Sequence, residues 1–138
     1  MRQPHPINIR FIDHVVLRVN DLEGMIEFYC EVLGCRLERG PGKGKLAQLR
    51  AGQALIDLLD AAGPLGRQAG DRPDHKAPTM DHVCLQVQPW DAEAIQAHLQ
   101  QQGVEMGEIA TRYGALGPGP SLYFSDPEGN RIELKGPG

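Results

Sequence analysis

Two histidines and two carboxylates of this 138-residue chain sit in matching sequence contexts. His14 lies in Asp13-His14-Val15-Val16-Leu17-Arg18-Val19, and His82 lies in Asp81-His82-Val83-Cys84-Leu85-Gln86-Val87, 68 residues later. Asp57 lies in Leu55-Ile56-Asp57-Leu58 and Glu133 in Arg131-Ile132-Glu133-Leu134, at an offset of 76. Two imidazoles with one or two carboxylates form a divalent-metal set that suits Zn, Ni, Fe, Mn or Co, one ion per site. A set of two His and one carboxylate with open positions also suits non-haem Fe(II). An open position lets the ion polarise a carbonyl or enediolate oxygen, or lower the pKa of a bound water. A single histidine on a strand is usually a half-exposed polar residue. Duplication of both the His and the carboxylate favours the metal reading over that one.

The elements that must position these four residues repeat with them. Both His-bearing runs alternate and read as half-buried strands. Val15, Leu17 and Val19 share an apolar face, with His14, Val16 and Arg18 on the other. Val83, Leu85 and Val87 likewise oppose His82, Cys84 and Gln86. Each strand leads into a helical pattern closed by glycine: 21–33 before Gly34, and 91–102 before Gly103. Leu22, Met25, Ile26, Tyr29 and Leu33 form the first helix's apolar stripe, with Asn20 as expected N-cap and Glu23 completing a capping box. Short strands are expected at 35–39, 46–50 and 54–59, and again at 104–109, 121–125 and 130–135. Asp126-Pro127-Glu128-Gly129 is a turn with Pro second and Gly fourth.

This order predicts an α+β protein of two βαβββ modules forming cupped mixed β-sheets. The expected division is an N-terminal arm at 1–9, a first module at 10–62, a linker at 63–79 and a second module at 80–138. The Gly/Pro-rich stretch Tyr113–Ser121 reads as a second long loop. A pseudo-twofold between the modules would let His14, Asp57, His82 and Glu133 converge.

Composition narrows the partners. The chain holds 17 Gly and 11 Pro, loop-rich yet with 41% hydrophobic residues for a core. Aromatics at 5% and a net charge of −4 argue against nucleic acid and anionic membranes. No apolar run is long enough for a membrane span, and the start lacks a signal-peptide pattern. Three cysteines without framework spacing fit a reducing cytoplasm. Cys30, Cys35 and Cys84 read as packing residues, as does Trp90, while His5, His75 and His98 have no repeat partner and read as surface.

The chain resembles the vicinal oxygen chelate superfamily, the glyoxalase, fosfomycin-resistance and extradiol-dioxygenase group. The matching text is Asp13-His14-Val15-Val16-Leu17-Arg18-Val19-Asn20-Asp21-Leu22, Phe28-Tyr29 through Val32-Leu33-Gly34, Met80 to Val87, and Tyr123 to Leu134. The resemblance implies a metal at the floor of the cup, with His14, His82 and Glu133 on ligand positions. Asp57 stands where glyoxalase I typically has Glu, one methylene longer, so direct ligation, ligation through water and no ligation stay open. Glu133 is then the first candidate for catalytic base and Asp57 the second, a role that needs a pKa raised toward neutrality.

The implied function is a metal-dependent lyase or isomerase of glyoxalase type, acting on a small substrate with vicinal oxygens and stabilising an enolate-like intermediate. Arg18, Arg50, Tyr113 and Tyr123 are the candidate substrate contacts. Fosfomycin-type thiol transfer expects Thr where this chain has Val16, and extradiol dioxygenases usually have about twice the length. Methylmalonyl-CoA epimerases share text like Leu55-Ile56-Asp57-Leu58-Leu59 but not the closing motif. A non-catalytic, antibiotic-sequestering protein of bleomycin-resistance type is the alternative outside enzymology, against which His14 and His82 argue. The resemblance further implies a homodimer in which His14 and Asp57 of one chain face His82 and Glu133 of the other.

Overall fold

The computed structural model describes residues 10–69 and 80–137, and one unit occurs in it twice. The first comprises β1 (His14–Val19), α1 (Leu22–Glu31), β2 (Arg36–Arg39), β3 (Leu46–Ala51) and β4 (Ala54–Asp60). The second comprises β5 (Val83–Gln86), α2 (Ala92–Gln101), β6 (Ala110–Gly114), β7 (Gly117–Ser125) and β8 (Arg131–Lys135). The sheets have orders β1-β4-β3-β2 and β5-β8-β7-β6. In each, the first and last strands pair in parallel and the other neighbours antiparallel. These are the two βαβββ modules that the repeat predicts. A parallel pair needs a crossover, and the helix is part of it. Of the expected linker, Gly66–Ala69 form a 3-10 turn; residues 70–79 and the arm 1–9, with His5 and His75, lie outside the described residues. No helix among the described residues is long and apolar enough to cross a membrane.

Strand parity holds in three dimensions. Leu17 and Val19 are buried, while His14 and Val16 on the other face are exposed. Tyr29, Met25 and Leu22 of α1 cover the apolar face of the first sheet, and their cluster continues through Leu99, Leu122, Phe124, Ile132 and Leu134 of the second module. One core therefore joins both modules on the helix side of the sheets. Trp90 packs against this core, as expected.

Three expectations are corrected. The N-cap of α1 is Asp21, not Asn20: the Asp21 carboxylate accepts from Gly24 N at 3.1 Å. The N–H groups of Asn20 and Asp21 go instead to Glu128, a partner 107–108 residues away that no local pattern shows. His98 is exposed, as expected, and its Nε2 meets the Val32 carbonyl at 2.8 Å, answering one of the carbonyls a helix end leaves without an intrahelical donor. Finally, the expected strand at 104–109 contributes only a Met106–Phe124 bridge, and the expected loop Tyr113–Ser121 is a hairpin, β6 to β7, closed at Gly114↔Gly117. Pro118 and Pro120 are tolerated in β7 because the Pro120 carbonyl takes the Gly136 N–H on the β8 side. By period two, the nitrogens that lack a proton face that side too, where β8 has ended, and the side toward β6 keeps its donors.

Candidate metal centre

The first sheet positions His14 and Asp57. β1 and β4 are parallel neighbours with His14 beside Leu55 and Val16 beside Asp57, which sets the imidazole and the carboxylate diagonally on one face. His14 Nδ1 lies 2.8 Å from Asp13 Oδ2, so Nε2 is the nitrogen left for a metal. The His14 pKa is raised above the ordinary 6.5, chiefly by that bond, against a lowering by burial and with help from the nearby Asp57 charge. Asp57 is only 3% exposed. Its Oδ2 accepts from Gln48 Nε2 at 3.3 Å, and its Oδ1 has no hydrogen-bond partner among the described residues. A buried carboxylate oxygen without a donor is costly unless a cation answers it.

The second sheet repeats the arrangement. His82 Nδ1 lies 2.7 Å from Asp81 Oδ2, and His82 Nε2 is 3.2 Å from Glu133 Oε1. The two candidate ligands of this half-site are thus already in contact. Glu133 lies beside Cys84 on β5 and Tyr123 on β7. Burial alone would raise its pKa, but hydrogen bonds from Ser121 and Tyr123, with the charges of His82 and Arg112, hold it below the ordinary value. The Tyr123 hydroxyl is shifted up, by burial and then by Glu133. The His82 ring meets the Tyr123 ring edge-on at 5.3 Å. Cys84 is exposed rather than packed away, and its thiol is pushed up to about 11 by partial burial and by Glu133.

The donor set fits a divalent ion: two imidazoles with Nδ1 occupied and Nε2 toward the site, one orphaned buried carboxylate oxygen, and one carboxylate held ionised. The Glu133 pKa is lowered, not raised toward neutrality. Among the described residues, no three His, Cys, Asp or Glu side chains of one chain come together in a metal-binding group. Each module carries half a set, and the modules join on their helix sides.

The other candidate residues divide. Tyr123 stands at the second half-site. Arg18 is half-buried on the His14 face of β1. Arg50 is bound to Glu38 through Nε and Nη2, at 3.1 and 2.9 Å, and to the Gln53 carbonyl. Tyr113 is 84% exposed on β6 and is not brought to either half-site. Sequence reading missed Asp13 and Asp81 as orienting residues, although the duplicated Asp-His pair was the signal. It also missed Ser121 and Arg112, which no spacing reveals before the register of β6, β7 and β8 is known.

Known proteins share this fold. The profile of the Glyoxalase/Bleomycin resistance protein/Dioxygenase superfamily matches residues 11–134. The chain is 31% identical over 138 residues to glyoxalase domain-containing protein RDO1 of Mycosarcoma maydis, covering 96% of this chain and 72% of that protein. It is 28% identical over 128 residues to glutathione transferase FosA of Serratia marcescens, covering 91% and 80%. Among solved structures, an integron cassette protein from the mobile metagenome of Vibrio cholerae superposes with a TM-score of 0.79 at 27% identity, covering 96% of this chain and 98% of that one.

Proposed function

The chain belongs to the Glyoxalase/Bleomycin resistance protein/Dioxygenase superfamily, and from that premise we propose that it is a metal-dependent enzyme of lyase or isomerase type. Its substrate would be a small molecule with vicinal oxygens, and its sites would form across a homodimer. His14 and Asp57 of one copy and His82 and Glu133 of the other would hold one divalent ion. Which ion it is lies open among Zn, Ni, Fe, Mn and Co. The observation that carries this reading is the pair of half-sites: each has a His whose Nδ1 is engaged by the preceding Asp and a buried carboxylate on the same face.

When bound, the ion supplies Lewis acidity, drawing electron density from the substrate oxygens that face it. The chain's own groups do the rest. Asp13 and Asp81 fix the two imidazole tautomers. Ser121 and Tyr123 keep Glu133 ionised and therefore ligating. Asp57, buried and with one oxygen lacking a donor, is the carboxylate best placed to exchange a proton with substrate. This assignment reverses the order of base candidates expected from sequence.

The test uses two variants, His14→Ala and His82→Ala. Each alone should lose high-affinity metal binding. Mixed and re-annealed, they should regain one intact site per mixed dimer, because a cross-chain arrangement places both substitutions in one site and neither in the other. Recovery of metal binding in the mixture supports the reading. Binding unchanged in both single variants refutes the ligands, and loss without recovery refutes the cross-chain arrangement. A wild-type protein without metal affinity would instead favour a ligand-sequestering role.

A further inference from the structure

The face of the second sheet that carries Glu133 is richer in cations than a chain of net charge −4 suggests. Arg112, Arg131 and Lys135 lie on it by strand parity and register, against Glu133 and the exposed Asp81. Lys135 is 1% exposed, and its Nζ donates to the carbonyls of Gly117 at 2.8 Å and Gly136 at 3.2 Å. No carboxylate among the described residues is paired with it. Arg112 comes from β6 and Arg131 from β8, the strands on either side of β7, and both guanidiniums lie against the Tyr123 ring, at 4.6 and 4.0 Å from its centroid.

Their own hydrogen bonding is sparse. Arg112 gives Nη1 to the Ser121 carbonyl and hydroxyl. Arg131 approaches Asp81 only to 3.8 Å, too far for a hydrogen bond. Arg50, clasped by Glu38, shows by contrast what a paired arginine looks like in this protein. An aromatic face answers a cation weakly, so both guanidiniums retain N–H groups suited to a planar or tetrahedral oxyanion. A divalent ion held by Glu133 and Asp57 would have its charge cancelled by them, and the arginines would remain in excess. A neighbouring cavity of about 610 Å³ shares Tyr123 and Arg131, but Glu105 and Asp126 also line it and disfavour an anion there.

We propose that Arg112 and Arg131 form an oxyanion subsite beside Tyr123, so that the substrate carries a carboxylate, phosphate or phosphonate group next to the oxygens it presents to the metal. The assignment of that group to a substrate rests on the metal-dependent reading above; the subsite itself is testable without it.

Malonate and methylphosphonate are titrated calorimetrically into full-length protein, metal-stripped and Mn(II)-loaded, and Mn(II) affinity is measured on the same preparations. At least one probe should bind metal-stripped wild type and lose roughly tenfold or more in affinity in Arg131→Gln, with Arg131→Lys retaining part of it. Mn(II) affinity should stay within about twofold across these variants, since neither arginine is a ligand. The tighter probe identifies the oxyanion. Arg112→Gln should weaken anion binding alike, but the Arg112 charge acts on Glu133, so constant Mn(II) affinity is expected of the Arg131 variants alone; because it also frees Ser121, the exposed Arg131 variant decides if Arg112→Gln does not fold. Equal affinity in wild type and Arg131→Gln, or binding of neither probe, overturns the subsite. Arginine-dependent anion binding by a wild type with no Mn(II) affinity keeps the subsite and removes the metal reading.

Discussion

Each candidate ligand histidine is preceded by an aspartate that binds its Nδ1, and both aspartates are about 80% exposed on their side chains. They contribute little packing, so their replacement should spare the fold and act on the imidazoles alone. Asp13→Asn and Asp81→Asn are each expected to lower metal affinity roughly 10–100-fold, read by competition with a chromophoric chelator. Affinity unchanged in both would show that the Asp-His pairs are surface ion pairs. Parity already suggested His14 with Asp57 and His82 with Glu133 in the sequence, because each alternates with the apolar residues that must face the core. Ser121 and Arg112 were illegible for the opposite reason. They reach Glu133 and Tyr123 through cross-strand neighbours, which only pairing defines.

The element that joins the modules is the turn after β7. Asp126 is 4% exposed and accepts from Glu128 N, Asn130 N, Asn130 Nδ2 and the Tyr29 hydroxyl. Glu128 accepts from Asn20 N and Asp21 N at the start of α1, at 2.6–2.9 Å, where a carboxylate also complements the helix dipole. Tyr29→Phe should cost about 1–2 kcal/mol and Glu128→Ala about 1–3 kcal/mol, measured by urea unfolding. An effect below about 0.5 kcal/mol for both would show that the apolar seam of Phe28 and Phe124 holds the modules unaided. Asp126-Pro127-Glu128-Gly129-Asn130 was recognisable as a turn from its residues, and Gly129 N does bond Asp126 O at 3.0 Å. Its second task, capping a helix more than a hundred residues away, has no local signature. The β6–β7 hairpin escaped for another reason: glycine and proline counts read as loop, whereas a strand accepts glycine, and accepts proline where its missing donor faces a neighbour that has ended.

At the scale of the whole molecule, joining the modules through α1 and the 126–130 turn leaves two half-sites on separate sheets. A second copy is the simplest source of the missing halves, so the mass in solution should be near twice the chain mass. Adding the bound metal to stripped protein should raise the melting temperature, by the equivalent of about 2.7 kcal/mol when free metal is a hundredfold above Kd. A monomer with unshifted melting would refute the shared site. The sequence by itself determined the repeat, the two βαβββ modules, the face on which each histidine lies and the glycine-closed helix ends, because these follow from local periodicity and backbone preference. Only the tertiary structure decided which side of the modules joins them, which donors keep Glu133 ionised, that Arg50 is paired while Arg112 and Arg131 lie against Tyr123, and that Asp57 is buried with one oxygen lacking a donor. Those depend on contacts between strands and modules far apart in the chain, and periodicity along a chain carries no information about them.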